Sequence, residues 1–366
     1  MFHWSRQLLA AATVGSMALL APAASAADLI ISTGLGQPHM WVAHHMNPFA
    51  DAIEKATNGE IKFTRFYAGE LTTVGRELDG LTSGTIQVAA PLLAPYHEGR
   101  FPLSDVTQLP AYGTDSPKVT RAFQKLLDSD VDLGNGKTFY QYEIADKGIR
   151  VWALGATAPY SITTANKVLK EPADFKGVPL RAGSAIHTIV LEKLGSTPVT
   201  MPGPQIYEAL SRNTIEGLVI AISDWPSYSI QPLLKHSIVD VSIGHWESYL
   251  AVSDAMWNGL TDEQKKLWDE TARRVGLENA AMWETNVGVV KDKSIKEDGG
   301  SFVSVNDLSK EMQDHIAKAA ADTWVAWIEK TEANGHPAKA TAKLYAQLIT
   351  AEGGKLPAGV AEYLGL

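Results

Sequence analysis

Apolar positions recur along this chain with two periods, and the two take turns. Leu29-Ile30-Ile31-Ser32-Thr33 is a run of the length of a buried strand, and Gly34-Leu35-Gly36-Gln37-Pro38-His39 ends it as a loop. Met46, Phe49, Ala50 and Ile53 then fall on one face of a helix, which Asn58-Gly59 stops. Ile61 to Phe66 has strand character. Val74, Leu78 and Leu81 mark a second helix with Thr72 or Thr73 as its N-cap, and Thr85 to Ala90 is a third strand. This β-α-β-α-β order predicts a sheet covered by helices.

A polar, helical stretch begins near Thr114 and ends before the Gly134-Asn135-Gly136 turn, and Ile149 to Leu154 is a strand. A second β/α run follows. Val178 to Ala182 is a strand, and Ile186, Ile189, Val190 and Leu194 form a helical stripe closed by Gly195. Val199-Thr200-Met201 is a short strand, Pro204 opens a helix reaching Leu210, and Gly217 to Ile222 is another strand. Thr261-Asp262-Glu263-Gln264 is a capping-box signature. Leu267, Trp268, Ala272 and Val275 share a face behind it, so a long helix running past Met282 is expected. A last helical segment covers Leu308 to Lys330. No Pro/Gly-rich linker separates two halves. The chain is therefore expected to pass between its domains by strands or a long helix, as in a hinged α/β protein of two lobes.

The first 26 residues change where the molecule is expected to work. Arg6, an apolar run from Leu8 to Leu20 and Ala24-Ser25-Ala26 read as a secretory leader cleaved before Ala27. The apolar run is too short to cross a bilayer, and no later stretch is long enough, so the mature chain is expected to be exported and not itself membrane-embedded. At 366 residues the chain exceeds what one core usually serves. The net charge of −9 argues against nucleic acid as a partner, since phosphate contacts need clustered cations. The absence of cysteine excludes disulfides, thiolate nucleophiles and cysteine-based zinc sites.

Candidate chemistry is sparse. Gly34-x-Gly36-x-x-His39 has the front of a dinucleotide fingerprint, but His39 replaces the third glycine and no acid ends a second strand at the right distance. The turn is better suited to setting His39 and Trp41 at the carboxyl edge of a sheet, where ligands of α/β proteins sit. His44-His45 are adjacent, so they diverge on a helix and make no metal pair. Neither a G-x-S-x-G elbow nor a phosphate loop occurs. No cofactor, metal or catalytic residue is expected. Arg181, between an apolar strand and the Gly183-Ser184 helix start, suits either a solvated arginine or a bidentate carboxylate anchor.

The blocks around Arg181 carry a resemblance. Asp174-Phe175-Lys176-Gly177-Val178-Pro179-Leu180-Arg181 precedes Leu194-Gly195-Ser196-Thr197-Pro198-Val199. Then come Ile206-Tyr207-Glu208-Ala209-Leu210 and Ile215-Glu216-Gly217. Thr57-Asn58-Gly59, Gly69-Glu70-Leu71, Gly84-Thr85-Ile86-Gln87 and Trp257-Asn258-Gly259-Leu260 keep the same order. Together they resemble the solute-binding proteins of TRAP transporters, the extracytoplasmic receptors of C4-dicarboxylate-binding type, over nearly the whole mature chain.

The resemblance implies a periplasmic-binding-protein-like fold with a hinge and a long helix spanning both lobes. It divides the chain into leader 1–26, lobe I (27–150 plus about 240–282), lobe II (151–239 plus about 283–345) and a C-terminal segment 346–366. It implies a periplasmic receptor, not an enzyme, that closes on a small organic solute and delivers it to ion-driven TRAP permease subunits. It assigns the carboxylate grip to Arg181. The chain departs from the pattern in two places. The stretch from Gly155 to Thr163 has no second arginine, Tyr160 standing near its place, and Ile220 stands where asparagine is usual. A C4-dicarboxylate is therefore less expected than a solute with one carboxylate. Tyr160, His39, Trp41, Glu70, Asp224, Trp225 and Trp246, with His245, are the other cleft candidates. Their aromatic rings suit a cationic or apolar end, so a zwitterion or an amine such as ethanolamine stays open. An ATP-driven importer's receptor, a periplasmic enzyme and a sensory receptor are the rival readings.

Overall fold

The computed structural model describes Met1 and residues 27–366, apart from Ser242. The leader expected at residues 1–26 lies outside the described residues. In the first half the elements are β1 (Ala27–Ser32), α1 (Asn47–Ala56), β2 (Ile61–Phe66), α2 (Glu77–Thr82), β3 (Val88–Leu92), α3 (Ser116–Leu127), α4 (Phe139–Glu143) and β4 (Ile149–Ala153). The second run comprises β5 (Tyr160–Thr164), β6 (Pro179–Ala182), α5 (Ala185–Leu194), β7 (Thr197–Thr200), α6 (Ile206–Ser211), β8 (Gly217–Ala221) and β9 (His236–Val239). Then come β10 (Tyr249–Ser253), α7 (Asp254–Asn258), α8 (Asp262–Lys293), β11 (Ser301–Ser304), α9 (Lys310–Ala333), α10 (Ala338–Ala351) and α11 (Val360–Leu364).

Two sheets result, ordered β2-β1-β3-β10-β4 and β11-β9-β5-β8-β6-β7. Each is the core of one lobe. β1, β2 and β3 run parallel, as do β6, β7 and β8. The strands that pair antiparallel with these are β10 and β5, each entered directly from the other lobe. The direction follows from the path: a chain arriving from the cleft runs against strands whose carboxyl ends point toward it.

Residues 154–159 and 240–248 make those two crossings and bond to each other. Thr157 N donates to Trp246 O at 2.9 Å, and Tyr160 N donates to Gly244 O at 3.1 Å. α8 is the third link. Its 32 residues span about 48 Å at 1.5 Å per residue. It packs on α1, α3 and β4 of the first lobe and on the turn Ile222–Tyr228 of the second. Thr261 and Gln264 cap it reciprocally, and Trp268, Ala272, Val275 and Trp283 are buried along it. Close approach to the crossing requires glycine at two places. A Cβ on Gly276 would stand 2.8 Å from Ala153 O. One on Gly155 (φ +118°) would stand 2.6 Å from Asn279 Oδ1.

Several boundaries differ from the periodicity. Neither Thr72 nor Thr73 caps α2, which starts at Glu77. The Thr72 hydroxyl is bonded to Ser32 Oγ at 2.7 Å, and Gly75 (φ +83°) turns the chain before the helix begins. Val74 is thereby left outside α2. β5, β9, β10 and β11 lacked a periodic signature and were not foreseen, and neither were α10 and α11. α9 packs on α5 of the second lobe whereas α10 packs on α3 of the first, so the chain crosses once more near its end. Among the described residues no helix is long and apolar enough to cross a membrane.

Candidate functional site

The carboxyl ends of the parallel strands of both sheets converge on one cavity between the lobes. From the first lobe come Leu35 and Trp41 after β1, Val74 after β2, Leu93 and Tyr96 after β3, and Trp246 before β10. From the second come Tyr160 at the start of β5, Arg181 near the end of β6, Gly203 and Pro204 after β7, and Ile220, Asp224 and Tyr228 from β8 and its turn. The cavity's free volume is about 20 Å³. About one water fits at that size. An organic solute needs the lobes to part.

Arg181 is 3% exposed and is the one lysine or arginine in the wall. Its Nε donates to Met201 O at 3.0 Å and its Nη2 to the Tyr96 hydroxyl at 3.2 Å. Among the described residues no aspartate or glutamate forms a salt bridge with it; Asp224 across the cavity feels its charge without pairing with it. A buried guanidinium in that condition attracts an anion. Gly183 makes room for it: a Cβ there would stand 2.9 Å from both terminal nitrogens.

Asp224 faces the same space, 4% exposed. Burial pushes its carboxyl up to about 7, against the pull of a Ser227 hydrogen bond and the Arg181 charge. Its Oδ1 has no hydrogen-bond partner and lies 3.5 Å from His39 Nε2. His39 Nδ1 accepts from the Trp41 backbone N–H at 3.2 Å, so in the neutral ring the proton sits on Nε2, which donates to the Tyr228 hydroxyl at 3.0 Å. Burial holds this imidazole neutral, pushing it down to about 3.

The apolar wall is aromatic. Tyr96 and Trp246 stack with centroids 5.5 Å apart, and Tyr160 stacks on His187 at 4.7 Å. Trp41 lies against His39 at 5.2 Å, and its indole N–H donates to Gly155 O at 2.7 Å, tying the wall to the crossing.

Of the residues singled out from sequence, the fold brings Arg181, Tyr160, Trp41, Asp224 and Trp246 to this wall, with His39 directly behind. Two others are corrections. Trp225 is fully buried against Phe302 at 5.9 Å, because neighbouring residues of the tight Ile222–Tyr228 turn point opposite ways. Glu70 is exposed, its carboxylate accepting from Tyr67 N in a local turn. His245 serves the crossing instead, bonded to Thr157 O and the Thr114 hydroxyl. Tyr96, Tyr228 and Leu93 were missed. Their signal is positional: each closely follows a buried strand, Pro91-Leu92 or Ile220-Ala221, at the edge where ligands collect.

Comparison with known proteins agrees with this architecture. The family model for bacterial extracellular solute-binding proteins, family 7 (DctP), matches residues 32–331. The C4-dicarboxylate-binding periplasmic protein DctP of Rhodobacter capsulatus is 25% identical over 291 residues, 79% of this chain and 81% of its own. A TRAP solute-binding protein of a marine metagenome, specific for aromatic acid ligands and in complex with metahydroxyphenylacetate, has a TM-score of 0.77 at 24% identity. The match covers 89% of this chain and 99% of that one. Another from Rhodoferax ferrireducens T118, with copurified benzoate, has a TM-score of 0.75 at 21% identity, covering 89% and 98%. At these identities the likeness in structure shows a common fold. With the family model spanning most of its length, this chain belongs to the bacterial extracellular solute-binding proteins of family 7.

Proposed function

We propose that this protein captures a small monocarboxylate with a compact, largely apolar or aromatic body, closes its two lobes over it, and hands it to the membrane permease of a TRAP transporter. The observation that carries the reading is Arg181: a buried guanidinium that no carboxylate of the described residues salt-bridges, facing an aromatic cavity. One cation in the wall suits one carboxylate, and Ile220 and Tyr160 bring no positive charge to a second. The relatives bound to benzoate and metahydroxyphenylacetate support this over the dicarboxylate named for the Rhodobacter protein.

Closure follows from the placement of the groups. Arg181, Tyr160, Asp224 and Tyr228 belong to the second sheet and its loops, and Tyr96, Trp41 and Trp246 to the first. A solute touching both sets makes contacts in the shut form that the open form lacks, and so stabilises it. Export by the N-terminal leader, cleaved before Ala27, places the receptor in the periplasm. The lobes divide near residues 150 and 240. Among the described residues the wall carries no serine, threonine or lysine nucleophile, which supports release of the solute unchanged.

Titration calorimetry with a panel of monocarboxylates tests this. Arg181→Ala removes charge-assisted bonds of about 1.5–3 kcal/mol each and lowers affinity at least tenfold. The solute is recovered intact from the complex. Unaltered affinity in the variant would sink the carboxylate reading.

A further inference from the structure

A hydroxyl group is the second feature this cavity is built to read. Asp224 lines the cavity, and its Oδ1 is buried with no hydrogen-bond partner among the described residues. Buried oxygens in that condition are uncommon and costly. His39 Nε2–H lies 3.5 Å from Oδ1 but is directed at the Tyr228 oxygen, 3.0 Å away. The tautomer is fixed because His39 Nδ1 accepts from Trp41 N. Tyr228 accepts that proton on its oxygen, so its own hydroxyl proton remains to be donated, and Tyr228 also lines the cavity. One acceptor and one donor therefore stand against the same imidazole nitrogen, while Arg181 bonds Met201 O and the Tyr96 hydroxyl instead.

We infer that Asp224 and Tyr228 recognise a hydroxyl substituent on the carboxylate solute, the hydroxyl donating to Asp224 Oδ1 and accepting from the Tyr228 hydroxyl. The solute class is a hydroxy-monocarboxylate. This rests on the carboxylate reading of Arg181 and narrows it.

The valence count favours a hydroxyl over an ammonium. A hydroxyl has one proton to give and lone pairs to receive the Tyr228 proton. An ammonium has three protons and no acceptor. It would meet one free oxygen and the Tyr228 proton, and it would share a small cavity with the Arg181 charge. A third group explains why the arrangement holds still: Trp41 stacks on His39, and its indole is anchored to the crossing at Gly155.

The test uses the mature protein and matched probes: phenylacetate with its 2-hydroxy, 3-hydroxy and 2-amino derivatives, and propionate with lactate and alanine. Calorimetry should show at least one hydroxy acid binding about tenfold or more tighter than its parent, because the parent leaves Oδ1 unpaired. Asp224→Leu should collapse that preference. Asp224→Asn, which keeps an acceptor oxygen, should retain part of it, and thermal unfolding confirms that both variants fold. Arg181→Ala should weaken hydroxy acid and parent alike. Equal affinity for hydroxy acid and parent, or tightest binding of an amino derivative, overturns this inference while leaving the carboxylate reading standing. Binding of ethanolamine with no binding of any acid overturns both.

Discussion

At the scale of single residues, the position of the Arg181 guanidinium is tied to the glycine at residue 183. The guanidinium lies where a Cβ on residue 183 would sit, 2.9 Å from Nη1 and Nη2. Gly183 itself has no positive φ to defend, so a methyl group there meets the end of a flexible side chain and little else. Gly183→Ala should therefore leave the melting temperature nearly unchanged while displacing the guanidinium. Loss of one well-aligned charge-assisted bond weakens carboxylate binding about tenfold. Calorimetry beside a thermal melt separates the two effects, and undiminished affinity would show that Arg181 has another place to lie. Arg181 was singled out in the sequence because the blocks flanking it resemble those of the TRAP receptors; its own position, ending an apolar strand, suited a solvated arginine equally. Asp224 and Trp225 were not distinguishable there. They are adjacent, and only the turn's geometry sends one to the cavity and the other to Phe302.

At the scale of elements, the two crossings depend on one acid. Glu247 is buried, and its Oε1 accepts from Leu154 N (3.1 Å), Gly155 N (2.9 Å) and Ser248 N (2.9 Å). It thus bonds both crossing segments at once. Burial pushes its carboxyl up to about 8, opposed by those backbone bonds and a Thr120 hydrogen bond. At neutral pH it is therefore largely a neutral group. Glu247→Gln keeps a neutral acceptor and should fold almost as stably as the parent. Glu247→Leu leaves the Gly155 and Ser248 N–H groups without partners, a loss of about 3 kcal/mol. Urea unfolding distinguishes the pair, and equal destabilisation by both would mean that the charge, not the acceptor, holds the crossing. The element order β-α-β and the capped α8 were readable, because periodicity and capping are local. The crossing strands β5 and β10 were not. They are buried on both faces and show no alternation, which is what a two-sided sheet position demands.

At the scale of the whole molecule, buried titratable groups set how stability depends on pH. Burial raises Asp105, Glu143 and Asp224 to about 7 and Glu247 to about 8. A carboxyl raised in the folded state contributes stability that is fully present below its unfolded value, near 4, and is lost as pH climbs through the folded value. Burial lowers His39, His45 and His187 to about 3 and His245 to about 4. Their contribution is present above 6.5 and is lost as pH falls through those values. Between about pH 4.5 and 6.5 the two sets oppose each other. From about 6.5 to 8.5 the carboxyls act alone, so the melting temperature should fall across that interval. A flat or rising profile there would show that these acids are ionised with compensation in the folded protein.

The sequence by itself determined the local grammar: strands and helices where apolar spacing is regular, the cap of α8, the leader pattern, and a chain without cysteine chemistry or a cationic surface for nucleic acid. It also carried Arg181, because the blocks flanking that residue keep a recognisable order. Each of these depends on residues close together in the chain. Only the tertiary structure decided which side chains meet. Tyr96 joins Arg181 across 85 positions and Tyr228 joins His39 across 189. Glu70, promising in its motif, ends in solvent. The cavity is made by carboxyl ends of strands from two separate sheets. Its composition is fixed by how the crossings and α8 set one lobe against the other, a long-range packing outcome that no local pattern encodes.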